Sequence, residues 1–488
     1  MFTYNLLDEG WLPVTRGSGP PSRVSLQECL AEAHLLGDIY HDSPLVVMGV
    51  YRLLLAAVRR IFPVTTPKEW ELLFKTGKFD KIKLDGYFEK WRDRFNLFDD
   101  KYPFWQVQLH PAGENTLSVN KLVLNRAAGN NPVYFDHSND FNPDPLKPAD
   151  AALQLIAFQS FSPGGGKSPT INFKHSPCTA PLITLLTGSS LFSTLVMNTL
   201  INPEIPDNGD DAPVWENPSS MQAEDETRLW GYSDYLTLSS RLIHLIPEKI
   251  EGEVVVTKIQ NAQGRGLPEE IQEPFSAFRI DKEKGKMQIK IRPEKQLWRD
   301  YNTLITVTDS DNVRPPLNLK QAALLEEKGI LQEKNYSVLC VGIATDKAKI
   351  LLWRADKLPL PLHLISDPDF VNLTGSALKF AEDKSKQLWR FTTNVVREML
   401  SYEGDKAEKN AVKKQQSSLS AESLFWSDLE LPFKQFILRC AEDPSSEETA
   451  FEEWKETCGR SYMRCREIIE NSVVGSPRGP KALAKAYN

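Results

Sequence analysis

Tyr336-Ser337-Val338-Leu339-Cys340-Val341 reads as a strand. It closes a β-rich stretch, Glu253 to Ile350, that also holds Val254-Val255-Val256 and Met287-Gln288-Ile289-Lys290-Ile291. Pro359, Pro361 and Pro368 follow, and beyond about Asp367 the period of the apolar residues changes. Phe380, Leu388, Trp389, Val395, Val396, Met399 and Leu400 fall at helical spacing and predict one amphipathic helix. Leu424, Phe425, Leu429, Phe433, Phe436 and Ile437 predict a second helical region, interrupted at Pro432. Phe451, Trp454, Met463 and Ile468 predict a third, before a short basic tail from Arg478 to Lys485. Helices joined by polar connections suit an antiparallel bundle. The fold class that follows is α+β, with a large mixed α/β domain over residues 1–365 and a C-terminal helical bundle over 366–488.

Toward the N-terminus the signals are mixed. Asn5 to Val14 predicts a short strand and turn. Ser25 with Glu28 three residues later has the capping-box spacing, and a longer helix is expected from about Ser43 to Phe62. Helices are expected near 68–75, 84–94, 148–160 and 179–200, the last dense in Leu, Thr and Ser. Between Glu204 and Glu226 lie eight acids and no Lys or Arg, with Pro206, Pro213 and Pro218 among them, which predicts a solvated surface excursion.

The chain has 488 residues, 41% hydrophobic and 25% charged, which excludes wholesale disorder and suggests more than one domain. Lys plus Arg number 58 against 65 Asp plus Glu, a formal charge of −7, and bulk electrostatics therefore argue against nucleic acid. The six cysteines include no C-x-x-C pair, so buried thiols in a reducing compartment are expected rather than a disulfide framework or a zinc site. The N-terminus lacks a basic region leading into an apolar run, and no apolar stretch approaches the roughly 20 residues of a membrane span. These features predict a cytoplasmic, soluble protein without membrane contact.

Two local patterns stand against that charge total. Gly164-Gly165-Gly166-Lys167-Ser168 ends like a phosphate-cradling P-loop. Phe161 stands where the first glycine of that motif belongs, and the residues before it look helical rather than strand-like. A nucleotide hydrolase centred on Lys167 is therefore the weaker alternative, and an ordinary flexible loop is the plain one. Bare glycine backbone still allows close approach to a ligand. Residues 279–299 carry eight cations against three anions, a local +5, with Lys282-Glu283-Lys284-Gly285-Lys286 at an expected hairpin tip. Such a tip is either a solvated turn or a finger of lysines for a nucleic-acid groove. The sequence holds no H-E-x-x-H, G-x-S-x-G or complete G-x-G-x-x-G, and its seven histidines form no ligand pair.

Five stretches, in order, together resemble a known family. They are Asn5 to Val14, Arg52 to Ala56, Phe98-Asp99 through Pro103-Phe104, Gly129-Asn130-Asn131 through Phe135-Asp136-His137, and Gly342 to Asp346. With the helical C-terminal region they resemble the CasA family, the large subunits of type I-E CRISPR surveillance complexes (Cascade), over nearly the whole chain. The resemblance implies a mixed α/β domain joined to a four-helix bundle, no catalytic centre and no cofactor. It implies as partners a guide RNA, double-stranded target DNA, the other Cascade subunits and a helicase-nuclease effector. The subunit would recognise the protospacer-adjacent motif in the duplex, help to start the R-loop and recruit that effector.

The resemblance also implies roles for particular residues. Asn131, Phe135, Asp136 and His137 fall in the loop that contacts the RNA handle and target. Gly164, Gly165 and Gly166 match the loop that approaches the motif's backbone and minor groove, and Lys282 or Lys284 the lysine that enters that groove. Minor-groove edges present mostly acceptors in a degenerate code, so an amine donor reads them tolerantly. Lys347 stands near where the family has a glutamine wedge that parts the first base pairs. Lysine keeps an apolar stem but adds charge and loses the amide acceptor.

Overall fold

The computed structural model describes residues 2–487 except 112, 130–135, 169–170, 223–227, 282, 284, 308–312, 333–335, 347 and 402–407. The chain divides into two compact units. The first comprises residues 1–293, 307–332 and 337–357; the second is built mainly from residues 294–306 and 358–488.

The first unit is mixed α/β around the helix Pro44–Ile61, whose residues from Leu45 through Val58 are all buried. Proline sits at its first turn, where no intrahelical N–H is lost. The helix Pro148–Phe161 crosses it closely: a Cβ on Gly49 would lie 3.2 Å from Ile156 Cγ2 and 3.3 Å from the Ala157 Cα. Arg52 is buried on the same central helix, where it donates to Glu273 Oε2 at 2.9 Å and to the Tyr235 carbonyl at 3.0 Å. A carboxylate partner at that distance offsets the desolvation of the guanidinium. Ser25 caps the helix Leu26–Ala31 by accepting the Glu28 N–H at 3.1 Å; the reciprocal half of the expected capping box is not made, and the Glu28 carboxylate accepts from Arg16 instead.

The strands form several small sheets. Arg241–Ile250 and Glu253–Gln263 make a long antiparallel hairpin, with Leu117–Ser118 added beside the second strand. Tyr336–Asp346 lies between Ile183–Thr187 and Lys349–Leu360. Phe278–Asp281 pairs with Gly285–Gln288, Asp281 standing opposite Gly285. Gly165–Ser168 pairs with Ile171–Phe173.

Two expectations are corrected in this unit. The segment expected as one helix over 179–200 is the strand Ile183–Thr187 followed by the short helix Leu191–Met197. Ser190 caps that helix by accepting the Ser193 N–H, which ends the extended run at Gly188. The acidic excursion is not merely solvated either. Glu216 accepts two bonds from Arg60 at 2.8 Å and one from the Tyr87 hydroxyl at 2.6 Å. Asp211 accepts the N–H groups of Ser233 and Asp234, each at 2.9 Å. Both carboxylates therefore tie the excursion to the fold.

The second unit is helical, with Pro368–Leu400, Lys409–Ser418, Ala421–Glu442, Glu447–Val474 and Gly479–Ala486 as its helices beyond residue 366. Its core gathers on Trp298, fully buried among Trp426, Phe433 and Trp454 with ring centroids 5.6, 5.0 and 6.4 Å away. Ala421–Glu442 runs unbroken through Pro432, where an interruption is expected from sequence. Phe425 and Leu429 before the proline and Phe433 and Ile437 after it are all buried, so packing carries the helix across the missing hydrogen bond. The basic tail from Arg478 to Lys485 falls on the short helix Gly479–Ala486, with Arg478 at its N-cap. All six cysteines are buried and free. Among the described residues no helix is long and apolar enough to cross a membrane.

Candidate nucleic-acid interface

The glycine loop joins the C-terminus of the helix Pro148–Phe161 to the strand Gly165–Ser168. Its geometry leaves no room for side chains. A Cβ on Gly164 would sit 2.6 Å from the Phe173 carbonyl oxygen and 2.8 Å from the His175 nitrogen. Gly165 has φ +130°, open to glycine and strained for other residues, and its Cβ would lie 3.3 Å from the Ala348 nitrogen. Gly166 continues into the strand. The loop thus packs directly against residue 348, the chain neighbour of Lys347.

Lys167 and Ser168 lie in this strand, after a helix. A P-loop needs the reverse order, a strand before the glycines and a helix whose N-terminus receives the phosphates. The nucleotide-hydrolase alternative loses its structural basis here.

Two side chains that no motif marks hold the loop in place. Arg241, 2% exposed, opens its strand. Its Nη2 donates to the carbonyls of Pro163 at 3.0 Å and Lys174 at 2.9 Å, one on each side of the glycine hairpin. Its Nη1 donates to the Ser240 carbonyl at 2.7 Å, and the guanidinium lies 4.8 Å from the Phe173 ring centroid. Burial pushes the Arg241 pKa down to about 10, which still leaves it charged at neutral pH. His175 accepts the Gly164 N–H at Nδ1, 3.0 Å away. Burial, then the charges of Lys290 and Arg241, holds its pKa below the ordinary histidine value.

A cavity of about 220 Å³ opens between the glycine loop, the hairpin tip at 348–350 and the segment 120–128. Lys121, Arg126, Arg241 and Lys349 line it, and none of the described lining residues is acidic. The segment 120–128 leads into the loop that carries the remaining expected contacts. There Asp136 is half-buried; its Oδ1 accepts from the Ser138 N–H at 3.1 Å and hydroxyl at 2.7 Å, and its Oδ2 accepts from the Ala127 N–H. Burial opposes its charge, yet these bonds hold the carboxyl below its usual range. His137 is exposed. Asn131, Phe135, Lys282, Lys284 and Lys347 lie outside the described residues. The strands Phe278–Asp281 and Gly285–Gln288 flank the two lysines of the first hairpin, and Tyr336–Asp346 and Lys349–Leu360 flank Lys347.

Residues 5–465 match the family described as CRISPR-associated protein Cse1. The chain belongs to the Cse1 family. A curated relative, CRISPR-associated protein CasA/Cse1 of Thermus thermophilus, is 30% identical over 503 residues, covering 99% of this chain and 95% of the relative. A crystal structure of CasA from Thermus thermophilus superposes with a TM-score of 0.82 at 27% identity, covering 100% of this chain and 98% of that one. A chain of a CRISPR RNA-guided surveillance complex has the same fold, with a TM-score of 0.75 at 20% identity over 99% of this chain and 98% of its own. The mixed α/β architecture is therefore that of Cse1 proteins.

Proposed function

We propose that this chain is the large, non-catalytic subunit of an RNA-guided CRISPR surveillance complex. It recognises the protospacer-adjacent motif in double-stranded DNA, helps to start the R-loop and recruits the helicase-nuclease effector. Membership of the Cse1 family supports the subunit role. The observation that carries the DNA reading is the packing of Gly165 against Ala348 beside a cavity whose described lining holds four cations and no acid. That arrangement offers bare backbone and positive charge at one place, which suits a duplex edge.

In this reading Gly164, Gly165 and Gly166 face the motif's backbone, Lys282 or Lys284 enters the minor groove, and Lys347 wedges the first base pairs. Asn131, Phe135, Asp136 and His137 meet the guide-RNA handle and the target. Residues 1–365 form the recognition domain, and residues 366–488 a four-helix bundle that meets neighbouring subunits. The protein works in the cytoplasm and needs no cofactor, because guide pairing carries the sequence information and the protein reads only a short motif and duplex shape.

The test uses a complex reconstituted with guide RNA and its other subunits. Lys282→Ala with Lys284→Ala should weaken binding to motif-bearing duplex by about tenfold, the scale of one lost groove contact. Undiminished binding removes the lysine finger from the account.

A further inference from the structure

The cavity beneath the glycine loop holds more positive charge than its surroundings neutralise. Arg241 reaches only carbonyl oxygens and the Phe173 ring among the described residues. Lys121, half-buried on the 3-10 turn Val119–Leu122, makes no hydrogen bond or ion pair with any described residue. Arg126 spends one Nη on the Asp144 carbonyl at 2.9 Å, and Lys349 is exposed at the rim. Asp140 exerts a favourable field on Lys121, but its Oδ2 already accepts the Gly129 N–H at 2.7 Å. Desolvation, and then repulsion from Arg241, pushes the Lys121 pKa down. A partly buried cation without a partner costs stability unless an anion completes the site.

We propose that this cavity binds a phosphate of a nucleic-acid strand, with Lys121 as the direct contact, Lys349 at the entrance and Arg241 supplying field from below. The proposal rests on the nucleic-acid reading above and deepens it: it assigns a backbone-phosphate subsite to residues that read no base. A phosphate fits for three reasons. The described lining brings four cations to one cavity, which suits an oxyanion. The volume of about 220 Å³ far exceeds the roughly 10–15 Å³ that one water needs, which leaves room for a phosphate. The Gly165 backbone on the wall, at φ +130°, leaves main-chain atoms bare for close approach.

A phosphate contact has a signature that base readers lack. Each one lost lowers the slope of log affinity against log salt by about 0.9 for duplex DNA, whatever the sequence. The test measures that slope for the full chain on a motif-free duplex, with Lys121→Gln, Lys349→Gln and the distant exposed control Lys78→Gln. The expected result is a slope lower by about 0.9 in Lys121→Gln, a smaller loss in Lys349→Gln, and none in the control, with no thermal midpoint lowered and that of Lys121→Gln raised.

An unchanged slope in both cavity variants, or no duplex binding by the unmodified chain, overturns the proposal. So does a loss in Lys121→Gln of affinity for inorganic phosphate or an acidic peptide with duplex binding intact, since the occupant is then not a strand. Motif discrimination in the assembled complex is read separately. Its absence defeats the proposed function and leaves the slope result standing.

Discussion

A proton on His175 Nδ1 would cost the glycine loop one of its ties, because that nitrogen accepts the Gly164 N–H at 3.0 Å. Burial and the neighbouring cations Lys290 and Arg241 depress the folded pKa below the ordinary 6.5. The unfolded chain therefore binds the proton first as pH falls. The stabilisation is present in full above 6.5 and is lost as pH drops through the folded value. Denaturant midpoints should thus fall between about pH 7.5 and about pH 5.5, and the fall should shrink in His175→Gln, whose amide oxygen accepts the same N–H without titrating. An equal fall in the variant would place the acid sensitivity elsewhere. At this scale the sequence is only half legible. A glycine triplet announces itself, and the 2.6 Å clash at Gly164 explains why no side chain stands there. Arg241 and His175 do not announce themselves, because their partners are backbone groups of residues 162–164, 174 and 240. No local spacing encodes such a partner.

Among the elements, those with strong helical period are readable. The expected helix from Ser43 to Phe62 is Pro44–Ile61, and that from 148 to 160 is Pro148–Phe161. The failures have physical causes. Ile183–Thr187 is buried throughout, and a short buried strand cannot be told from a helix by periodicity alone; what settles it is pairing with Ser337–Val341, some 150 residues away. Pro432 forecasts a break, and buried aromatic packing overrides it. Trp298 is the clearest case of a residue whose meaning is tertiary. The ring is fully buried and contacts three aromatic rings from the helices Ala421–Glu442 and Glu447–Val474. Trp298→Ala leaves a large cavity there and should cost about 3–5 kcal/mol. Chemical denaturation checks this, and a loss below about 1 kcal/mol would show that the site collapses around the missing ring.

For the molecule as a whole, a formal charge of −7 is an average over local charges of opposite sign. The eight acids of residues 204–226 outweigh the local +5 of 279–299 in the total. Some of those acids, Glu216 and Asp211 among them, are committed to internal bonds with Arg60 and backbone N–H groups. The cations at the cavity share its described lining with no acid. Distribution, not total, is what a nucleic-acid strand meets. Motif recognition within an RNA-guided complex is the role proposed for this Cse1-family chain. Its most direct test is the affinity of the reconstituted complex for motif-bearing against motif-free duplex, with and without this chain. The account predicts a preference of about tenfold or more with the chain and none without it. Equal preference in the complex that lacks the chain would contradict it.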